Sequence, residues 1–186
     1  IEYIVVDGKS SDNTIKIVNE FKNIIDTFIS EKDDGVYFAM NKGLNKSSGE
    51  YILYLNSDDY LEICNFNYFI KFIKKNKPSY LYGDIKYIKN NNVLRYWKSG
   101  NFKYKELYNL WIPPHTGSII KRNILVSLEG FNTKYKLAAD YDLMLRSLNK
   151  SSKIYYIDKL MTNMTVGGLT NKNFKNILKQ NLEILY

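Results

Sequence analysis

The chain has 186 residues, 45% of them hydrophobic, one cysteine and a formal charge of +8, which suits a single domain with a sizeable core. No apolar run approaches the roughly 20 residues that span a bilayer, no signal-peptide pattern opens the chain, and the lone Cys64 excludes an intrachain disulfide, so a soluble cytoplasmic protein is expected. The lysines are scattered through polar faces and loops, which argues against a nucleic-acid surface and leaves anionic small molecules such as nucleotides as favoured partners.

Residues 1–7, IEYIVVD, read as a β-branched buried strand without an initiator Met, and a segment upstream of it is expected to be missing. The turn GKSSDN supplies helix-capping Ser, Asp and Asn side chains. After it, Val18, Phe21 and Ile25, flanked by Ile17 and Ile24, share a helical face. Residues 26–31 fit a short strand. Val36, Met40 and Leu44 recur every four residues in a helix over 35–47 that ends near Ser47, Ser48 and Gly49. A strand over 51–56 follows, then a helix from about 61 to 75 that groups Phe66, Phe69, Ile70 and Ile73 and stops ahead of Pro78. YLYGDIKYI and NVLRYW, joined by Lys89-Asn90-Asn91-Asn92, form a hairpin. The loop WIPPHTGS, a helix over 137–149, the strand KIYYID and a tail helix over 172–186 carrying Ile177, Leu178, Leu182 and Leu185 complete the chain.

This alternation predicts an α/β fold with a mostly parallel sheet flanked by helices, a small antiparallel hairpin and a C-terminal helical tail. Ligands of such sheets sit beyond the carboxyl ends of the strands, where Asp7 and the pair Asp58 and Asp59 fall. Two neighbouring carboxylates repel, and burying them is costly unless a cation compensates. Hard oxygen donors suit Mn2+ or Mg2+, ions that also bind substrate phosphates. The plainer reading makes Asp58 a cap for the helix beginning near Leu61 and leaves Asp59 in its solvated first turn.

Four motifs follow one another over nearly the whole chain: IVVDGKSSDNT, SEKDDGVYFAMNKGLNKSSGEYILYLNSDD, PPHTGSIIKRNIL and GFNTKYKLAADYDLMLR. In this order they resemble glycosyltransferase family 2. The resemblance implies a GT-A fold, related to the Rossmann fold, and inverting transfer of a sugar from a nucleotide-diphosphate donor. It looks closest to bacterial enzymes that build lipopolysaccharide, capsule or exopolysaccharide. It implies that Asp7 holds the nucleotide base, that Asp33 or Asp34 borders the same pocket, and that Asn41 and Lys42 lie near the donor. The DXD metal motif falls on Asn56-Ser57-Asp58; with Asn in place of the first acid, Asn56 and Asp58 contact the donor and the ion is assigned to Asp58 and Asp59. The acid of the base motif stands at Asp140, preceded by Ala139 where another acid is common, and Phe38 replaces an acid typical of the second motif. His115 and Asp84 are implied at the donor-sugar or acceptor cleft, and the glycines of TVGGLT over the product diphosphate. A strand and helix ahead of Ile1, roughly 30 residues by βαβ proportions, are implied as well. A chain lacking them would expose a sheet edge and is expected to have an incomplete donor site and weak activity.

Displacement at an anomeric carbon needs the leaving diphosphate neutralised, which a divalent Lewis acid does. It also needs an acceptor hydroxyl deprotonated from the opposite face, which a positioned carboxylate does. Asp140 and Asp142 stand two apart at a helix start, so only one can face a cleft; Asp140 is assigned as the base and Asp142 as a cap or neighbour-bonding group. Tyrosines and tryptophans can stack on sugars, yet most are spaced like core positions. The expected partners are a nucleotide-diphosphate sugar, a uridine diphosphate sugar by default, and a sugar or lipid-linked glycan acceptor. A basic surface is available for peripheral contact with an anionic membrane. Two other readings compete: a truncated chain that only binds partners, and a phosphoryl-transfer enzyme using Asp58 and Asp59.

Overall fold

The computed structural model describes residues 1–109, 111–166 and 183–184. The expected tail helix and the glycines of TVGGLT lie outside these residues, except for Glu183 and Ile184, which are helical.

β1 (Ile4–Asp7) and β2 (Thr27–Ser30) pair in parallel and are joined by α1 (Thr14–Glu20). α2 (Val36–Lys46) packs on β1 and leads to β3 (Tyr51–Leu53) and β4 (Tyr60–Leu61). α3 (Ile63–Asn76) precedes the long central strand β5 (Tyr80–Lys89), which turns back into β6 (Asn92–Trp97). After β7 (Ser118–Lys121) come α4 (Arg122–Ser127), α5 (Ala139–Lys150) and β8 (Ile154–Thr165). The second sheet has the order β3-β7-β5-β8-β4, with β6 on β5.

The α/β class is as expected, but this sheet is mixed rather than mostly parallel. Only β5 and β8 run parallel within it, while β3–β7, β5–β7, β4–β8 and β5–β6 are antiparallel. The reason is local: a parallel pair needs a crossover of a dozen or more residues, usually a helix, whereas β6 follows β5 through a tight turn. In that turn Asn90 (φ 48°) and Asn91 (φ 63°) are both left-handed, the backbone that a two-residue hairpin turn requires and that asparagine tolerates.

β5 organises the core by the period of two of a strand. Tyr80 and Tyr82 face Leu44, Ile120, Leu125, Phe131, Leu143, Met144 and Leu148, which come from α2, β7, α4, α5 and the loop before α5. Leu81 faces the other way, onto Phe69 of α3 with Ile119, Ile157 and Met161. Each such fully buried side chain contributes about 1.5–3 kcal/mol.

The N-terminal helix departs from its sequence pattern. It ends at Glu20, residues 21–24 form turns, and Ile17, Phe21 and Ile24 are 51%, 52% and 62% exposed. Thr, Ile and Val supply much of this short segment, and β-branched residues are weak helix formers. β7 and α4 were not foreseen, and β8 extends well beyond KIYYID.

Candidate active site

Two clusters form at the ends of the strands. At the end of β1 the buried Asp7 accepts bonds from the backbone and hydroxyl of Ser10 and from the Ser30 hydroxyl at 2.7 Å. These donors hold its carboxyl below the usual carboxylate range. Asp33 lies against Gly8 in the turn after Asp7; its Oδ1 accepts from the Gly35 amide, while Oδ2 is sealed from solvent without a partner among the described residues. Asp34 is exposed. Lys42 pairs with Glu31 at 3.0 Å.

The carboxylate turn between β3 and β4 separates its two acids. Asp59 is buried, accepting from the Thr165 amide at 2.9 Å and from the Asn56 side-chain amide at 3.1 Å. Burial pushes its carboxyl up. Asp58 is exposed, and its carboxylate has no bonded partner among the described residues. No group of three or more His, Cys, Asp or Glu side chains that could cage a metal occurs among the described residues. The donor set instead fits an ion that takes one or two carboxylates from the protein and its other ligands from phosphate and water, as Mg2+ does. Asp58 is the uncommitted carboxylate that could serve such an ion.

The second cluster is a cavity of about 410 Å3 whose walls include Asn56, Tyr87, Trp97, Trp111, His115, Asp140 and Tyr141. Asp140, in the first turn of α5, accepts at Oδ1 from the Tyr37 hydroxyl at 3.2 Å and from the Tyr141 amide at 2.8 Å. Its Oδ2 has no bonded partner among the described residues. Burial, and then the Asp140 charge, push the Tyr37 hydroxyl far up, so Tyr37 stays a donor. Asp142 points elsewhere, into an ion pair with Arg146, whose other N–H groups reach the carbonyls of Leu128 and Gly130.

Below the cavity, the Phe131 ring meets Tyr37 at 5.3 Å, Tyr54 at 5.0 Å and His115 at 5.5 Å. His115 Nε2 and the Tyr54 hydroxyl are sealed from solvent and have no hydrogen-bond partner among the described residues. Burial holds the imidazole below its usual pKa, with the Asp140 charge opposing. Asn41 clamps this floor: its amide donates to the Phe131 carbonyl and its oxygen accepts from the Phe131 amide, at 2.9 and 2.8 Å. Gly130 makes the clamp feasible, since its φ is +67° and a Cβ there would overlap the Asn41 oxygen.

Of the residues singled out from the sequence, Asn56, His115 and Asp140 therefore share one cavity, and Asp33 lies beside Gly8, next to Asp7, outside that lining. Asn41 and Lys42 are engaged within the protein. Asp84 does not line the cavity: it is fully buried within β5, accepting from the hydroxyls of Tyr96 and Tyr156 and from the Ser99 amide. Sequence reasoning missed Tyr37, Tyr87, Trp97 and Trp111 as site residues. The sequence held no clear signal for the pairing of Tyr87 and Trp97: the Asn90-Asn91 turn sets Ile88 opposite Val93, and it is an irregularity between Tyr87 and Ile88 that brings Trp97 opposite Ile85, onto the face of Tyr87.

Residues 1–133 match the model of glycosyl transferase family 2. The chain belongs to that family. This family 2 glycosyltransferase is 30% identical over 177 residues to a PGL/p-HBAD biosynthesis glycosyltransferase of Mycobacterium tuberculosis, an alignment covering 91% of the chain and 68% of the relative. Its fold is similar to that of Staphylococcus aureus TarS in complex with UDP-GlcNAc, with a TM-score of 0.72 at 22% identity, covering 90% of this chain and 50% of TarS 1-349. It is also similar to the mannosyltransferase PcManGT of Pyrobaculum calidifontis in complex with GDP-Man and Mn2+, at a TM-score of 0.66 and 16% identity, covering 99% of this chain and 55% of that one. The glycosyltransferase thus spans about half the length of these structural neighbours and has their GT-A-like architecture.

Proposed function

We propose that the chain transfers a sugar from a nucleotide-diphosphate donor, with inversion, to a hydroxyl of a bacterial cell-surface glycan, free or lipid-linked. The observation that carries this reading is Asp140, a carboxylate with one oxygen fixed by Tyr37 and Tyr141 and the other uncommitted, on the wall of an aromatic cavity that it shares with Asn56 of the carboxylate turn. Oδ2 would take the proton of the acceptor hydroxyl as that oxygen attacks the anomeric carbon. Tyr37 holds the carboxylate still, and the aromatic walls present flat faces to sugar rings while limiting water. Base and leaving group act from opposite sides of that carbon, which inverts it.

At the other end, Asp7 and Asp33 would hold the base of the nucleotide, and Asp58 would hold Mn2+ or Mg2+. Such an ion, when bound, neutralises the charge that develops on the diphosphate. The complexes of TarS with UDP-GlcNAc and of PcManGT with GDP-Man and Mn2+ support a nucleotide-sugar donor and leave the base open, with uridine as the default. Among the described residues no helix is long and apolar enough to cross a membrane, and the charge of +8 suits peripheral contact with an anionic cytoplasmic leaflet. The test is a thermal-shift titration with uridine, guanosine and deoxythymidine diphosphates, with and without Mn2+. A Mn2+-dependent shift for one of them, absent in Asp58→Asn, is expected; no shift from a cooperatively folded sample would overturn the donor assignment.

A further inference from the structure

The hairpin that walls the cavity carries a guanidinium with no role in the reading above. Cross-strand pairing sets Trp97 opposite Ile85 and Arg95 opposite Tyr87. Ile85, Tyr87 and Trp97 all line the cavity, so Arg95 stands on that same face. The alternation is pinned from the other side, because the Tyr96 hydroxyl donates to the buried Asp84 at 3.0 Å. Turning β6 over would break that bond. The Arg95 guanidinium carbon lies 5.5 Å from the Trp97 ring centroid and 5.9 Å from that of Tyr87, within cation–π range.

Contact with two ring faces leaves the N–H groups of the guanidinium available for an oxyanion. The other arginines are committed: Arg146 to Asp142 and two carbonyls, Arg122 to the Ser47 hydroxyl. Arg95 is exposed, with no carboxylate or hydrogen-bond partner among the described residues. A charge positioned by two aromatic rings, beside walls suited to a sugar and on the cavity that holds Asp140, recognises a sugar carrying a negative group.

We propose that Arg95 makes the mouth of the cavity an oxyanion subsite, so that the acceptor is an anionic sugar, bearing a carboxylate or a phosphoryl group, rather than a neutral one. This rests on the assignment of the Asp140 side of the cavity to the acceptor. Arg95 selects the acceptor and takes no part in proton transfer.

The chain's two tryptophans, Trp97 and Trp111, both line this cavity, so intrinsic fluorescence reports on it directly. The probes are methyl glucoside, methyl glucuronide and glucose 1-phosphate, titrated into the protein and into Arg95→Gln, with a parallel calorimetric titration of UDP and Mn2+. At least one anionic sugar is expected to bind about tenfold more tightly than the neutral glycoside, the scale of one charge-assisted hydrogen bond, and the stronger anion names the group. Arg95→Gln should erase that preference, leave UDP binding unchanged and melt like the parent protein. Equal binding of all three sugars, no binding of either anion, a preference that survives in Arg95→Gln, or a loss of UDP affinity in that variant would each overturn the proposal. Failure of the parent protein to bind UDP would instead sink the donor assignment, and the sugar titration would still decide the role of Arg95.

Discussion

β5 enters the core with Tyr80, Leu81 and Tyr82 wholly buried between helices on both faces, whereas α1, beside the β1–β2 pair, buries no side chain, and Ile17 on it and Phe21 and Ile24 in the turns after it are more than half exposed. What joins β1 to β2, besides their ladder, is polar: Asp7 reaches Ser30 across the strands and Ser10 in its own turn. The base-bearing wall thus rests on close-packed apolar side chains, which transmit strain and fix geometry. The Asp7 carboxylate is instead held by a few hydrogen bonds, each of modest net stabilisation, and although α2 packs on β1, the sparse apolar burial around α1 is that of a segment expected to open locally at lower cost. The end proposed for proton transfer is expected to be the stiffer one, and the end proposed for the nucleotide base the more yielding.

Chemistry and stability should separate between the two ends. Asp140→Asn should lower sugar transfer by about 10²–10⁴-fold while leaving the urea midpoint within error, since α5 is held by Ala139, Leu143, Met144 and Leu148 rather than by the carboxylate. A large loss of stability in that variant would show that the carboxylate itself helps to hold α5 in place. Leu81→Ala should cost about 2–5 kcal/mol in urea unfolding, against no more than about 0.5 kcal/mol for the exposed Ile17→Ala. Comparable losses would break the contrast. In hydrogen exchange, amides of β1 and β2 should exchange well before those of β5 and β8, and UDP should slow the former selectively.

The smallest effect is in pH. Burial lowers the folded-state pKa of His115, so its contribution to stability is present at neutral pH and fades as pH falls below about 6.5. Asp7 is lowered by its hydroxyl donors, so its contribution persists until pH falls below about 3.9. His115→Phe should flatten the upper window of an acid titration and Asp7→Asn the lower one. If either variant flattens both, the two clusters are not independent.

Most elements were legible because periodicity and punctuation agreed: Val36, Met40 and Leu44 mark α2, and Asn90-Asn91 marks the hairpin. The Ile17 to Ile25 pattern overstated α1, since apolar spacing records which residues could share a face and not whether anything covers it. β7 and α4 escaped because SIIKRNILVS offers only two short apolar pieces, Ile119-Ile120 and Ile124-Leu125-Val126, split by Lys121, Arg122 and Asn123, too short to show either period; β7 is defined by its pairing with β3 and β5. The motifs singled out Asp140 and His115, which the structure places on the wall of one cavity. Asp84 was misplaced toward the cleft because a strand sequence gives alternation without saying which face is which, and its tyrosine partners, Tyr96 and Tyr156, come from two other strands. Tyr37 acts on Asp140 across 103 residues of chain, a relation that no local pattern encodes.

Gly130 touches no substrate in this scheme, yet it admits no side chain, because the space a Cβ needs is already occupied by the Asn41 oxygen that anchors Phe131. In a map of mutational tolerance it would stand beside Asp140 as intolerant to nearly every change. The two would part only on inspection of what survives: variants at 140 would accumulate as folded, silent protein, and variants at 130 would be depleted before any sugar is offered to them.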